Sequence, residues 1–517
     1  MLFFSCTESH LDQDATCSGE MTFSAIQNSS TSVRAALKVI KPGYQAIEYS
    51  LRFMRFFRNF FARPFMAARH SSFTLFRTFF MKVLEETGFP KEKRKMKLRR
   101  PASQASFIVL DIMALMLCVG CATLPRVSAV PKGLGKEAVI SGISGARFYA
   151  DSAETDLTRL GLESLKREKA FLASSGKKGP LPPVSFLAIS GGGDDGAFGA
   201  GLLLGWTAAG TRPQFKVVTG ISTGALIAPF AFLGADYDYV LKQVYTNVTN
   251  KDIFRSRSLL SVFYKDAIAD TTPLQELLSR YVDKKMLNAV AAEYKRGRIL
   301  LIGTTDLDSR KGVIWNMGQI AASESPKSLD LFKKVMLASA AIPGVFPPVL
   351  FDVEVNGKFY QEMDVDGGAV AQVFIYPPSF RLKHLSERKR VQRARRLYVI
   401  RNARLEPEWA EVERRTLPIA RMAISYLIQN QGTSDLRAIY HLSQRDGIAF
   451  NLAYIPKTFK EPRKGGFDKQ YMQKLFDLGY TMAVNGYPWE KTPPGLSPSG
   501  NKSQELTDVE DQERIPQ

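Results

Sequence analysis

From Val184 to about Tyr487 the chain alternates short apolar runs with longer segments of helical period. The runs are VSFLAIS (184–190), FKVVTG (215–220), RILLIGT (298–304), GVIW (312–315), RRLYVI (395–400) and IAFNLAYI (448–455). Each is rich in β-branched or aromatic residues and too short for a helix, so each reads as a strand. Between them lie segments such as PLQELLSRYV (273–282) and LFKKVMLASAA (331–341), whose apolar positions recur at helical spacing. Nearly continuous apolar strands alternating with helices predict an α/β fold with a mostly parallel central sheet and helices on both faces. Upstream, a charge-rich helical pattern over roughly 145–174 is broken by Pro182-Pro183. Residues 122–183 therefore read as linker and helix, with 126–140 the linker proper, ahead of the main domain at 184–487. The tail at 488–517 is polar and proline-rich and reads as disordered. No internal repeat is present.

Residues 1–121 follow another pattern. From Met96 the chain reads MKLRRPASQASFIVLDIMALMLCVGCATLPR, a basic start, an apolar run and a small-residue end. That is the layout of a secretory signal, too short for a comfortable transmembrane helix. Its end, LCVGC, resembles the lipobox of bacterial lipoproteins, with Cys121 as the acylated residue. Cys118 stands at position −3 and Asp111 interrupts the run, so a short anchor or a buried apolar segment stays open. A lipoprotein reading of 96–121 implies a membrane-anchored, periplasm-facing protein of a bacterial envelope. Residues 1–95 mix Arg with many Phe. They read as a basic aromatic extension, either an interfacial segment or the product of a mis-called start upstream of Met96.

Charge narrows the partners. The net charge is +20, of which residues 1–120 carry +8 and the rest +12. A basic balance suits nucleic acid or an anionic membrane surface. Neither a zinc-finger spacing nor an RNP-like aromatic motif occurs, so the expectation is a membrane surface and no nucleic acid. No cysteine follows Cys121, which excludes a disulfide framework and a thiol nucleophile from the main domain. Only two of the four histidines, His384 and His441, lie in it.

Three short motifs carry the chemistry. In FLAISGGGDDGAFGAG an apolar strand runs into Gly191, Gly192, Gly193 and Gly196, then into a small-residue helix. Such a loop leaves backbone N–H groups pointing at one spot beside a helix N-terminus, a site for negative charge. It fits the dinucleotide spacing G-x-G-x-x-G, but no acidic residue lies between Asp195 and Asp236, and Asp194 and Asp195 would repel a diphosphate. A P-loop is excluded because no Gly-Lys-Ser/Thr follows. The second motif is Gly220-Ile221-Ser222-Thr223-Gly224, a G-x-S-x-G between a strand and a helix, where the glycines permit a strained turn that exposes a serine hydroxyl. The third is Asp364-Val365-Asp366-Gly367-Gly368, in which Asp366 is either a base for the serine or an Asx-type turn residue.

Taken in order, the glycine loop, the G-x-S-x-G and the distant Asp-Gly-Gly resemble the patatin-like phospholipase family. So do ASAAIPGVFPPV (338–349), DTTPLQELL (270–278) and IGTTDLDSRKGVIW (302–315), and the stretch NQGTSDLRAIYHLSQRDGIAFNLAYIP resembles the C-terminal part of bacterial members. The resemblance covers 184–375 most closely. It implies a three-layer fold and a serine acyl hydrolase with a Ser-Asp dyad. Ser222 would be the nucleophile and Asp366 the general base. Gly191, Gly192 and Gly193 would form the oxyanion hole, with Gly220 and Gly224 at the elbow. The substrate would be a lipid or other acyl ester, with no metal and no cofactor. The loop carries Asp195 where the family usually has Arg or Lys, which favours a simpler acyl ester or a lysolipid over a tightly held phospholipid phosphate.

Two other readings remain open. One is a Ser-His-Asp triad, for which the order Ser222, Asp366, then His384 or His441 would serve. The other is a non-catalytic membrane lipoprotein using the fold for interaction. The basic and apolar stretch DIFRSRSLLSVFY (252–264) reads as a lid or lipid-facing loop, or as a packed surface helix.

Overall fold

The computed structural model describes residues 124–258, 265–407 and 409–496. The 1–95 extension, the 96–121 signal segment with Cys121, and residues 497–517 of the tail lie outside the described residues.

Every predicted run forms a strand. The strands are β1 (Arg147–Tyr149), β2 (Val184–Ile189), β3 (Phe215–Gly220), β4 (Arg255–Ser256), β5 (Ala269–Asp270), β6 (Ile299–Asp306), β7 (Lys311–Asn316), β8 (Val349–Val355), β9 (Lys358–Asp366), β10 (Arg395–Arg401) and β11 (Ala449–Tyr454). β4 and β5 make a small ribbon; the others form one sheet ordered β1-β7-β6-β3-β2-β10-β11, with β9 also on β6 and β8 on β9. The central pairs β6-β3, β3-β2, β2-β10 and β10-β11 are parallel. The flanking pairs β1-β7, β6-β7, β6-β9 and β8-β9 are antiparallel. The β8–β9 hairpin was not among the expected strands.

Alternation along the strands sorts residues into two cores, because successive side chains point to opposite faces. Leu187, Ile189, Leu300 and Ile302 pack on one face with α2 (Gly196–Ala208), α3 (Thr223–Leu233), α4 (Ser328–Ser339) and α6 (Lys469–Val484). Phe186, Ala188, Leu397 and Val399 pack on the other face, with Leu436, Ile439 and Leu442 of α5 (Thr416–Arg445). Ile299, Leu301 and Ile314 on the same side meet α1 (Glu154–Ser174) through Leu157 and Leu160. The result is the expected three layers, with the sheet between helices. α2 lies close against α6 because it presents glycines there: a Cβ at Gly201 would sit 2.0 Å from the Phe476 carbonyl oxygen, and one at Gly205 2.2 Å from that of Tyr480.

Three expected boundaries move. The helix pattern over 145–174 resolves into β1 and the shorter α1. Residues 126–140, expected as a linker, lie along the hairpin: Val139 pairs with Glu354, and Arg126 donates to the Gln361 carbonyl at 2.8 Å. Residues 488–496, expected to be disordered, are ordered, because Trp489 stacks against Trp206, Tyr398 and Tyr487 and Glu490 pairs with Leu452.

Candidate active site

The parallel strands β2, β3 and β10 all end at one edge of the sheet, and the chain leaves β2 for β3 on one side and reaches β10 on the other. In open α/β sheets that reversal leaves a crevice at the carboxyl ends of the strands, where ligands bind. Ser190 and the glycine loop follow β2, Ser222 follows β3 and Asn402 follows β10.

Ser222 has φ 55° and ψ −126° at the head of α3. That conformation is strained for a residue with a side chain and marks an over-determined turn. Close packing imposes it. A Cβ at Gly224 would lie 2.2 Å from the Ile189 carbonyl oxygen, and one at Gly220 2.3 Å from that of Gly224. Only glycines let the strand fold back so tightly into the helix. The Ser222 N–H donates to Ser339 Oγ at 3.0 Å, and that hydroxyl donates to the Gly303 carbonyl at 2.6 Å. Ser339 thus ties the elbow to β6 from the carboxyl end of α4.

Asp366 closes β9 and is buried. Its backbone is fixed twice: its N–H donates to the Ala341 carbonyl at 2.9 Å, and Thr305 Oγ1 donates to its carbonyl at 3.0 Å. Burial pushes its carboxyl up to about 6, while the Ser222 hydroxyl and the Gly368 N–H both hydrogen-bond it and pull it back. The Gly368 bond is 2.7 Å long. Ser222 and Asp366, 144 positions apart in the sequence, are therefore in direct contact.

The glycine loop lies against the serine: a Cβ at Gly191 would meet Ser222 Cβ at 3.2 Å. Its geometry corrects one expectation. The Gly191 N–H donates to the Gln372 carbonyl at 3.0 Å and is not free to bind an oxyanion. Gly192 and Gly193 keep the role open, since among the described residues neither N–H has a partner. Gly192 has φ 157°, and a Cβ there would fall 2.1 Å from the Asn402 carbonyl oxygen. Asn402 holds the loop in place: its N–H donates to Ser190 Oγ, its amide donates to the Ser190 carbonyl, and its Oδ1 accepts from the Gly199 N–H.

The two acidic residues of the loop face away from the serine, toward another segment. Asp194 accepts from the Phe467 N–H at 2.9 Å, and burial raises its pKa. Asp195 binds Arg463 at 2.5 Å and accepts from the Tyr471 hydroxyl at 2.7 Å. A guanidinium thus stands beside the loop, engaged by its two carboxylates. Arg401 at the end of β10 is a second nearby cation, 3% exposed, with Nη1 unpartnered and its pKa lowered by burial to about 10.

A cavity of about 330 Å³ opens beside the site, between α5 and the sheet. It reaches Ile221 and Gly367, the chain neighbours of Ser222 and Asp366, and Gly303, whose carbonyl holds Ser339, and is otherwise walled by residues such as Val313, Phe374 and Leu442. His384 and His441 are both exposed on helical segments and are not brought to Ser222 or Asp366. Of the stretch expected as a lid, Asp252 completes a capping box with Thr249, Ile253 is buried and Arg255 and Ser256 are exposed, while 259–264 lie outside the described residues. No cluster that could hold a metal occurs among the described residues.

Sequence reasoning did not find Ser339, Asn402, Gln372 or Asp435, which bonds the Gln372 N–H at 2.6 Å. Ser339 lies in the quoted segment ASAAIPG, the one local signal that pointed near it.

Residues 187–377 match the sequence model described as Patatin-like phospholipase. No curated protein matches the chain. Among solved structures it is similar to VipD from Legionella pneumophila, at 12% identity over 59% of this chain and 67% of that one, with a TM-score of 0.29. Human GIVD cytosolic phospholipase A2 gives 11%, 62%, 56% and 0.28 in the same terms. The SpcU–ExoU complex of the Pseudomonas aeruginosa type III secretion system gives 14%, 59%, 52% and 0.28. The chain spans little more than half the length of the last two. At these TM-scores the assignment rests on the family match and on the topology. Residues 187–377, which hold the glycine loop, Ser222 and Asp366, are thus the part of the chain that is similar to patatin-like phospholipases.

Proposed function

We propose that this domain is a serine hydrolase of lipid acyl esters that works with a two-residue dyad. The observation that carries the reading is the hydroxyl of Ser222, held on a strained elbow and hydrogen-bonded to the buried carboxyl of Asp366. Ser222 Oγ attacks the ester carbonyl while Asp366 takes its proton. The developing oxyanion is received by the N–H groups of Gly192 and Gly193, each such donor being worth about 2.7–4 kcal/mol in the transition state. Asp366 hands that proton to the departing alkoxide, so the alcohol leaves, the carboxylate is restored and an acyl-serine remains. Asp366 then deprotonates a water that attacks it, and the proton returns to Ser222 as the acid leaves. The positive end of α3, at whose head Ser222 stands, favours the anionic species throughout.

The substrate side follows from charge. Arg463 beside the loop is paired to Asp194 and Asp195, so the reading favours esters whose head group needs no phosphate anchor there. The net charge of +20 supports work at an anionic bilayer. Cys121 is proposed as the lipid anchor of an envelope protein; labelling with a palmitate analogue that persists in Cys121→Ser would end that proposal.

A panel of p-nitrophenyl esters, lysolipids and phospholipids tests the activity on wild type, Ser222→Ala, Asp366→Asn and His441→Ala. The dyad requires the first two variants to be inactive and the third to retain turnover. Loss of turnover in a folded His441→Ala would move the protein to a triad.

A further inference from the structure

The carboxyl half of α5 is a packed core helix, with Leu436, Ile439 and Leu442 against the sheet. Its amino half differs. From 416 to 431 none of the described side chains is buried, and Ile419, Met422, Ile424, Tyr426, Leu427 and Ile428 are all exposed. Leu427 is 66% exposed, and in the loop just before the helix Trp409 is 89% exposed. Monomeric proteins rarely expose apolar side chains in one contiguous group, and such groups mark contacts with a partner or a membrane.

The chemistry of the segment points to lipid. Residues 416–434, TLPIARMAISYLIQNQGTS, contain no acidic residue and one arginine, and Arg414 and Arg415 are exposed just before them. Glu411 and Glu413 precede these in turn, with Glu413 paired to Arg415 at 3.3 Å. The apolar positions cover most of the helix circumference, while Ser425 and Gln429, four apart, make a polar stripe. Trp and Tyr at the rim of such a surface suit the level of lipid head groups. Among the described residues no helix is long and apolar enough to cross a membrane, so this one would lie in the interface. The same helix then runs inward. Asp435, Ala438, Ile439 and Leu442 wall the cavity beside the dyad, and Asp435 holds the Gln372 N–H whose carbonyl bonds Gly191.

We infer that Trp409 and the exposed amino half of α5 dock the protein on an anionic lipid bilayer, leading from the membrane to the cavity beside Ser222. This rests on the hydrolase reading for its purpose and stands apart from it in its test.

The test uses the full chain carrying Ser222→Ala, so that lipid is not consumed. The probe is vesicles of phosphatidylcholine with one third phosphatidylglycerol, with and without brominated acyl chains. Trp206 and Trp315 are buried and Trp489 is packed among other rings, so a Trp409→Phe control isolates the Trp409 signal. Trp409 emission is expected to shift to the blue on vesicles and to be quenched by the brominated chains. Adding Ile424→Asp with Leu427→Asp should weaken that partitioning at least about tenfold, with an unchanged melting curve as the check on folding. Three results would overturn the inference: binding to vesicles with Trp409 unquenched, partitioning indifferent to Ile424→Asp and Leu427→Asp, or a dimer in light scattering that these substitutions dissociate. The last would assign the face to a second copy of the chain.

Discussion

If Asp366 is the base, the acid limb of the rate profile belongs to it. An unperturbed aspartate titrates near about 3.9. Burial lifts Asp366 to about 6, against two hydrogen bonds that favour the ionised form. The difference of about 2 units corresponds to about 3 kcal/mol between its protonation states. A protonated Asp366 cannot take the serine proton. At pH 7 roughly nine tenths of it is ionised, and at pH 5 roughly one tenth. kcat/KM should therefore be about tenfold lower at pH 5 than on the plateau, whereas an ordinary aspartate would lose less than a tenth of its activity there. The assay is hydrolysis of a short-chain p-nitrophenyl ester, which carries no titrating group, followed between pH 4 and 8. A histidine could give a limb in the same range, so the profile is repeated on the His384→Ala, His441→Ala double variant. The limb should stay in place. A midpoint at or below about 4.5, or a limb that disappears with the two histidines, would refute the assignment.

Three further outcomes follow from the same geometry. Ser339→Ala orphans the Ser222 N–H at the elbow, so stability should fall by about 1–3 kcal/mol and kcat by about a hundredfold; an unchanged kcat would show that the elbow does not need this tie. Gly192→Ala places a Cβ 2.1 Å from the Asn402 carbonyl oxygen, so the loop must move and kcat should drop at least about a hundredfold with the circular dichroism spectrum intact. Asp364 is fully buried, accepts from Thr304 Oγ1 at 2.5 Å, has its other oxygen unpartnered, and is pushed by burial up to about 7. Its folded pKa is raised, so its contribution is complete below pH 4 and is lost as pH rises toward 7. Relative to Asp364→Asn, wild type should lose up to about 4 kcal/mol between those pH values in denaturant melts; a constant difference would contradict this.

The central strands were legible because they carry short apolar stretches, such as Phe186–Ile189 in β2 and Ile299–Ile302 in β6, and both of these strands are buried on both faces along their whole length. β1 has three residues and is defined only by its pairing with β7, which lies more than 160 positions away. The β8–β9 hairpin had a readable signal: Asn356-Gly357 at its tip, both at positive φ, between alternating strands. In the candidate site, the strained turn at Ser222 and the turn at Asp366 were legible because a G-x-S-x-G between strand and helix and an Asp-Gly-Gly impose local sequence. The glycine loop was legible as a loop but not residue by residue. Gly191 loses its oxyanion role to a contact with Gln372, 181 positions on, which no local pattern encodes. The same holds for Arg463, which sits against Asp195 from a segment 268 positions away and alters the charge balance read from the loop alone.

The central claim is that Ser222 is an activated nucleophile, and covalent capture tests it most directly. Incubation with an alkyl fluorophosphonate, followed by peptide mass spectrometry, should find the adduct on Ser222 in wild type. It should find none in Ser222→Ala and strongly slowed labelling in Asp366→Asn. If wild type is not labelled, or is labelled as fast with Asp366→Asn, the serine on its strained turn is no dyad nucleophile and the hydrolase account fails.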